Sequence, residues 1–144
     1  MLYGKKLRPA TTVIVLIIAG SFVVNHFLLK PSNIISDFET ELRKTADELN
    51  KKCPIMIDST SRLDNAEVPA RKTFQYNCTF ITATKADFDS NEFKSSVLPD
   101  IIKDFKTSRK VKLFRDNNIT VITNYHDKNG EFLIKYALTP KDYK

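Results

Sequence analysis

The stretch NITVITNYHDKNGEFLIKYALTP, residues 118–140, predicts the fold most directly. On both sides of its centre, apolar and polar residues alternate with a period of two, as in β-strands that bury one face. Asn129 and Gly130 lie between the two alternating runs, and both residue types tolerate the positive φ angles of a tight turn. The stretch therefore predicts an antiparallel hairpin.

A second hairpin is predicted upstream. In KTFQYNCTFITAT, residues 72–84, alternation places a set of apolar residues on one face: Phe74, Tyr76, Cys78 and Phe80. The preceding run, IMIDSTSRLDNAEVP at residues 55–69, ends in a polar connection that contains Pro69 and suits a turn between strands. The two runs therefore predict another strand pair.

An amphipathic helix is predicted before each hairpin, because apolar residues recur there at helical spacing. The first set is Ile34, Ile35, Phe38, Leu42, Ala46 and Leu49, and the second is Phe93, Val97, Leu98, Ile101, Ile102 and Phe105. Pro99 should kink the second helix or reset its start. The order α-β-β-α-β-β predicts an α+β domain over residues 34–144, with two helices on one face of a four-stranded antiparallel sheet.

The N-terminal region predicts a membrane anchor. Residues 10–29 contain no Lys, Arg, Asp or Glu, and as a helix they would span the ~30 Å hydrocarbon core of a bilayer. The basic residues Lys5, Lys6 and Arg8 precede this segment, and the positive-inside rule then leaves the N-terminus in the cytoplasm. We therefore predict a transmembrane helix of the signal-anchor type at residues 10–29.

This anchor sets the predicted domain organisation. Residues 1–9 form the cytoplasmic N-terminus, residues 30–33 a short linker, and residues 34–144 a periplasmic domain of a single-pass inner-membrane (cytoplasmic-membrane) protein. The alternative is a signal peptide cleaved near Ala19–Ser21, where small residues loosely resemble a cleavage site.

Cys53 and Cys78 are the only cysteines. In an oxidising extracytoplasmic space, an even number of cysteines favours a disulfide between them, and two unpaired thiols are the alternative. His126 is the only histidine in residues 30–144, and no Cys-x-x-Cys spacing occurs, so we predict neither a metal site nor a cofactor.

The charge pattern argues against a nucleic-acid partner. Lys5, Lys6 and Arg8 supply half of the formal net charge of +6, so the predicted domain is nearly balanced. One stretch, residues 103–115, is locally basic and is a candidate interaction patch: Lys103, Lys106, Arg109, Lys110, Lys112 and Arg115. It could contact anionic lipid headgroups or an acidic partner, or it could be the solvated end of a helix.

Asp58, Arg62 and Asp64 form a candidate polar site. Two carboxylates beside an arginine could serve as general acid and base, which would suit a hydrolase. The same residues also make strand ends and turns through hydrogen bonds to the backbone. This pattern alone does not identify a catalytic residue, and we predict none.

The run Asn50-x-x-Cys53-Pro54-x-x-x-Asp58, followed by Thr60-x-Arg62-Leu63-Asp64, resembles a pattern in small bacterial membrane-anchored or exported proteins of unknown function. The resemblance extends to the strand Thr73–Tyr76 and to the hairpin Tyr125–Gly130. It implies a bacterial, extracytoplasmic single domain.

These features predict a single-pass membrane protein that displays a binding or scaffolding module in a bacterial envelope assembly. Its partners would be the lipid bilayer, through residues 10–29, and a membrane or envelope protein. The alternatives are an exported hydrolase that uses Asp58, Asp64 and Arg62, or a sensor that holds a small ligand between the sheet and the helices.

Overall fold

The computed structural model describes residues 35–144 of the chain, with side chains from residue 38 onward. The predicted cytoplasmic segment 1–9, transmembrane helix 10–29 and linker 30–33 lie outside the described residues. Between residues 35 and 144, no helix combines the length and the apolar character needed to cross a bilayer.

The described chain contains five α-helices and five β-strands. The helices are α1 (Ile35–Asn50), α2 (Ser90–Glu92), α3 (Leu98–Thr107), α4 (Lys112–Asp116) and α5 (Pro140–Tyr143). The strands are β1 (Ile55–Met56), β2 (Ser61–Ala70), β3 (Thr73–Phe80), β4 (Thr120–His126) and β5 (Phe132–Leu138). A π-helical turn, Phe93–Val97, joins α2 to α3, and short 3₁₀ turns occupy Lys85–Asp87 and Arg109–Val111.

The strands form one mixed five-stranded sheet in the order β1-β2-β3-β4-β5. Both predicted hairpins are present, as the antiparallel pairs β2–β3 and β4–β5. The two hairpins meet through a parallel pair, β3–β4, in which Thr73 lies opposite Thr120.

The predicted four-stranded antiparallel sheet is therefore wrong in two respects. First, the helices between β3 and β4 carry the chain back across the sheet, so β4 starts at the same end as β3 and runs parallel to it. Second, β1 adds a fifth strand that pairs with Arg62 and Leu63 of β2. β1 has only two residues, which is too few to show an alternating pattern.

Pro99 lies near the start of α3. The chain before it is already helical, through α2 and the π-helical turn. The π-helical turn before it ends at Val97. That Pro99 kinks the second helix or resets its start stays a prediction.

The core lies between the sheet and the described helices, which pack on one face. Aromatic rings fill much of it: Phe80 stacks on Tyr125 with ring centroids 4.4 Å apart, and Phe93 of the π turn contacts Tyr125 and Tyr136. Leu42, Ala46 and Leu49 of α1 are also buried there. The opposite face of the sheet carries mostly polar side chains and no helix of residues 35–144, because alternate strand residues face away from the core.

Candidate functional site

Side chains of α1 close the outer edge of β2 beyond the short strand β1. The Asn50 carboxamide accepts a hydrogen bond from the Ala66 backbone N–H at 2.7 Å and donates one to the Ala66 carbonyl at 2.8 Å. It therefore bonds the same two groups that a neighbouring strand would bond. Because both groups would otherwise be unpaired at the edge, Asn50 replaces a strand there.

Two other residues of α1 extend this closure toward the β2–β3 turn. Arg43 Nη1 donates to the Val68 carbonyl at 3.1 Å. Glu39 accepts a hydrogen bond from the Lys72 backbone N–H at 2.7 Å. Together with Asn50, they bond the backbone at Ala66 and Val68 of β2 and at Lys72 of the turn.

The outer edge of β5 has no such cover. Within residues 35–144, β5 pairs with no strand except β4. Phe132 is 51% exposed, and its ring meets His126 edge-on with centroids 6.0 Å apart. Lys135 and Ala137 are exposed along the same strand. This edge offers backbone hydrogen-bonding groups, one cation and one large apolar side chain to a partner.

The turn between β4 and β5 is held by Asp127. Its carboxylate accepts hydrogen bonds from the backbone N–H groups of Asn129 at 2.7 Å, Glu131 at 2.9 Å and Lys85 at 2.9 Å. Burial disfavours the charged form of Asp127, but these N–H donors outweigh burial and lower its pKa. Gly130 supplies the positive φ of 83° that the turn requires. The hairpin is thus presented on a rigid turn.

A polar array covers the open face of the sheet. Asn77 Nδ2 donates to Asn65 at 2.7 Å, and Asn124 Nδ2 donates to Asn77 at 2.8 Å. Gln75 donates to Glu67 and to Asn77. These bonds link β2, β3 and β4 through side chains, and they leave the buried Asn124 Oδ1 without a partner.

The structure separates the candidate polar site into two parts. Asp58 Oδ1 accepts hydrogen bonds from Thr60 and Ser61, so its carboxylate organises the β1–β2 turn. Arg62 and Asp64 pair on the open face, with 2.5 Å between Nε and Oδ1. Asp58 has no hydrogen bond to either of them. This geometry fits residues that stabilise turns and strand ends better than it fits an acid–base site. No cluster of metal-binding side chains occurs in the part of the chain that the structure describes.

The cysteines are free thiols in this structure, where the sequence predicted a disulfide. Cys78 is fully buried on the core face of β3, and Cys53 is partly buried just after α1. Burial raises the pKa of the Cys78 thiol, with smaller contributions from Asp64 and from Cys53 itself. The oxidation of Cys53 and Cys78 to a disulfide remains a prediction.

The predicted basic patch is only partly available to a partner. Arg115 is half-buried and donates to the carbonyls of Phe105 at 2.5 Å and Ser108 at 2.7 Å, so it closes the connection between α3 and α4. Lys112 pairs with Asp116 one turn later in α4. The other members are exposed: Lys103, Lys106, Arg109 and Lys110.

Sequence reasoning did not identify the β5 edge as a site. The exposed Phe132 and Lys135 are visible in the sequence, but they lie in an ordinary alternating strand. The strand order shows that β5 is terminal in the described sheet. The hydrogen bonds of Asn50 and Arg43 show that α1 covers the β2 side.

Three solved structures share this fold. A protein described as secreted, from Pseudomonas aeruginosa, has a TM-score of 0.61 and 13% identity, and the match covers 78% of this chain and 100% of that one. The type 2 secretion pilotin EpsS of Vibrio vulnificus has a TM-score of 0.59 and 12% identity, over 76% of this chain and 94% of that one. The type II secretion pilotin AspS of Vibrio cholerae has a TM-score of 0.55 and 13% identity, over 74% and 93%.

At the level of sequence, no curated protein matches the chain. The model of a family described as a domain of unknown function, DUF8479, matches residues 37–134. These residues run from the first turns of α1 into β5, and so include nearly all of the sheet. The chain therefore belongs to the DUF8479 family.

Proposed function

We propose that this protein is an extracytoplasmic binding module in a bacterial envelope assembly, and that it binds an extended segment of a partner protein along β5. The observation that carries the proposal is the difference between the two edges. Side chains of α1 form hydrogen bonds with backbone groups at the β2 edge, whereas β5 has no neighbouring strand beyond β4 among residues 35–144. A strand edge that is left uncovered is a template for another strand.

The side chains of β5 favour a particular kind of segment. An added strand would gain backbone hydrogen bonds, and its side chains would determine specificity. An acidic residue opposite Lys135 would form a cross-strand ion pair, and an apolar residue beside Phe132 would cover the half-exposed ring. A second copy of this chain fits less well, because antiparallel pairing of two β5 strands around their centre would place Lys135 near its own copy.

The envelope setting is supported by the fold and by the N-terminal sequence. A secreted protein and two secretion pilotins share the fold, although their low identity carries no function over to this chain. The apolar segment 10–29 would hold the domain at the outer side of the cytoplasmic membrane. A short tether raises the effective concentration of the domain near other membrane proteins.

Site-specific photo-crosslinking in the native host tests the proposal. A photoreactive residue at Ala137, exposed on β5, should form a specific adduct with an envelope protein. The matched control is Ala70, an exposed alanine at the end of β2. Lys135→Glu should abolish the Ala137 adduct, because it replaces the expected attraction by repulsion.

The identity of the crosslinked peptide gives the second criterion. A peptide with an acidic residue flanked by apolar ones supports strand addition along β5. Adducts of equal yield from Ala70 and Ala137, or an Ala137 adduct that Lys135→Glu leaves unchanged, would contradict binding at this edge.

A further inference from the structure

The described chain begins with α1, and the start of this helix lies at one end of the sheet. Glu39, one turn into α1, lies 3.9 Å from Arg71 and bonds the Lys72 N–H of the β2–β3 turn. The Lys72 carbonyl accepts from Thr120 N–H at 2.8 Å, where β4 begins. The start of α1 therefore lies at the end of the sheet where β3 and β4 begin. We name this end of the sheet the entry end.

Three other helical ends meet at the entry end. Tyr143 of α5 donates its hydroxyl to the Ile119 carbonyl at 2.8 Å, just before β4. The Tyr143 ring lies 5.0 Å from that of Phe105, in the last turns of α3. Arg115 of α4 bonds the Phe105 carbonyl. The C-terminal part of α3, α4 and α5 are thereby packed together at this end.

This packing concentrates positive charge. The exposed cations at or near the entry end are Arg71, Lys72, Lys103, Lys106, Arg109, Lys110, Lys112, Lys141 and Lys144. The carboxylates there are fewer and largely engaged: Glu39 with Lys72, Asp116 with Lys112, and Asp142 with Thr139. Asp100 and Asp104 are the remaining ones on α3. The sequence showed only part of this surface, because Arg71, Lys72, Lys141 and Lys144 lie far from residues 103–115 in the chain.

The other end of the sheet is not basic. Its exposed lysines, among them Lys85, Lys94 and Lys128, alternate with exposed carboxylates. Those carboxylates are Asp87, Asp89, Glu92 and Glu131. The described domain is therefore electrostatically polar along its strands, with the excess of cations at the entry end.

We propose that the entry end docks on the anionic headgroups of the bilayer that residues 10–29 are predicted to cross. This inference rests on the proposed membrane anchoring. Residues 30–34 extend at most ~17 Å, so the entry end cannot move far from the bilayer surface. Basic side chains held within a Debye length of anionic lipids are attracted to them. Charge complementarity and the short connection thus favour lipid over an acidic protein.

This docking also orients the site on β5. Phe132 and the Asp127 turn lie at the end of the hairpin away from Thr120 and Leu138. With the entry end on the bilayer, the turn points away from the membrane. The β5 edge then runs along the membrane normal and remains open to a partner.

Lysine labelling of the full chain in lipid nanodiscs tests the proposal. One set of discs contains phosphatidylcholine alone, and in the other phosphatidylglycerol replaces part of it. The rates of modification at Lys106, Lys110 and Lys141 are compared with those at Lys94 and Lys128, which serve as internal controls. With phosphatidylglycerol we expect about fivefold slower modification of the first set only, reversed by raised salt.

A charge-reversed chain supplies the matched variant. Lys106→Glu with Lys110→Glu should remove the lipid-dependent protection of Lys103 and Lys141, whereas Lys85→Glu with Lys128→Glu should retain it. All four positions are exposed, so the fold is expected to persist, which circular dichroism checks.

Three outcomes would overturn the proposal. Equal rates in both lipids reject lipid docking and leave the basic surface to an acidic protein. Equal protection in both lipids rejects headgroup charge as the cause. A chain that does not co-purify with discs rejects the membrane anchor and the docking together. None of these outcomes alters the crosslinking result expected at Ala137, so the two proposals fail separately.

Discussion

The β2 edge and the β5 edge belong to the same sheet and have similar alternating sequences, but they are completed differently. At β2, the side chains of Asn50, Arg43 and Glu39 bond the backbone beyond β1. At β5, no described segment takes this role, and Phe132 is half exposed. A sheet edge is therefore defined by what packs beside it, rather than by the strand itself.

The two edges also differ in the kind of protection they have. The β2 edge is closed by specific hydrogen bonds, whereas β5 has only Lys135 at its centre. A lysine on an edge strand discourages indiscriminate pairing because its charge must stay solvated or be paired. Such an edge resists self-association and still accepts a partner with the right charge.

Oxidation of the two cysteines should have the largest effect on stability. A Cys53–Cys78 disulfide would tie the end of α1 to β3, and closing a loop of about 25 residues should stabilise the fold by about 3 kcal/mol. Urea unfolding with and without reductant measures the difference, with Cys53→Ser as the control that should show none.

Thiol labelling distinguishes the two states. In the reduced folded protein Cys53 should react and the buried Cys78 should not. In oxidised protein neither should react before unfolding. Reaction of Cys53 in folded protein after complete oxidation would contradict the disulfide.

Asn50→Ala should open the closed edge. It leaves the Ala66 N–H and carbonyl without their partners, and we expect a loss of about 1–2 kcal/mol in the free energy of unfolding. Urea unfolding measures this loss. Asn91→Ala, at an exposed position of α2, is the matched control and should change the free energy by less than about 0.5 kcal/mol. Equal effects of the two substitutions would show that the β2 edge does not depend on Asn50.

Acid should loosen the turn of the open edge before it affects the Asn50–Ala66 contact of the closed edge. The folded-state pKa of Asp127 is lowered, so its bonds stabilise the fold above the unfolded pKa of about 4 and are lost as the pH falls through the folded value. Asn50 has no titratable group. Hydrogen-exchange protection at Asn129 and Glu131 should therefore fall below about pH 4, while protection at Ala66 persists. A parallel decline at all three amides would indicate global unfolding instead.

Arg43→Met should weaken the closed edge slightly. The substitution keeps an apolar stem of similar length but removes the donor to the Val68 carbonyl, and the expected loss is about 0.5–1 kcal/mol. Thermal unfolding compares it with Arg109→Met, an exposed arginine of the 3₁₀ turn Arg109–Val111. A larger loss of stability for Arg109→Met than for Arg43→Met would contradict the role of Arg43 at the closed edge.

Lys135→Glu should have the smallest effect on stability and the largest on binding. Lys135 is exposed on β5, so the free energy of unfolding should change by less than about 0.5 kcal/mol. The Ala137 crosslink should nevertheless disappear. Lys94→Glu, the matched surface control, should preserve both stability and crosslink. A substantial loss of stability in Lys135→Glu would mean that this lysine supports the fold.

Much of the local structure could be predicted from short stretches of sequence. The Asn129–Gly130 turn and the alternating runs around it determine a hairpin wherever the segment is placed, because turn geometry and strand period are local properties. Asp58 similarly precedes Thr60 and Ser61 in a sequence that favours a side-chain-capped turn. An acid–base role for Asp58 would require its side chain to lie close to those of Arg62 and Asp64. No short stretch of sequence can determine that proximity.

The candidate surfaces were harder to predict because each depends on distant residues. Residues 103–115 contain six cations in the sequence, but Arg115 bonds backbone carbonyls and Lys112 pairs with Asp116. The tertiary fold also brings cations from the β2–β3 turn and from α5 to the same end of the domain.

By itself, the sequence determined the two hairpins, the apolar faces of the two main helices and the burial of Cys78. Each depends on residues within a few positions of one another. Only the tertiary structure decided that β3 and β4 pair in parallel, that α1 covers β2, and that β5 remains an edge. These features depend on how a crossover of some forty residues packs on the sheet, and that choice is made by burial across the whole core rather than by any local preference.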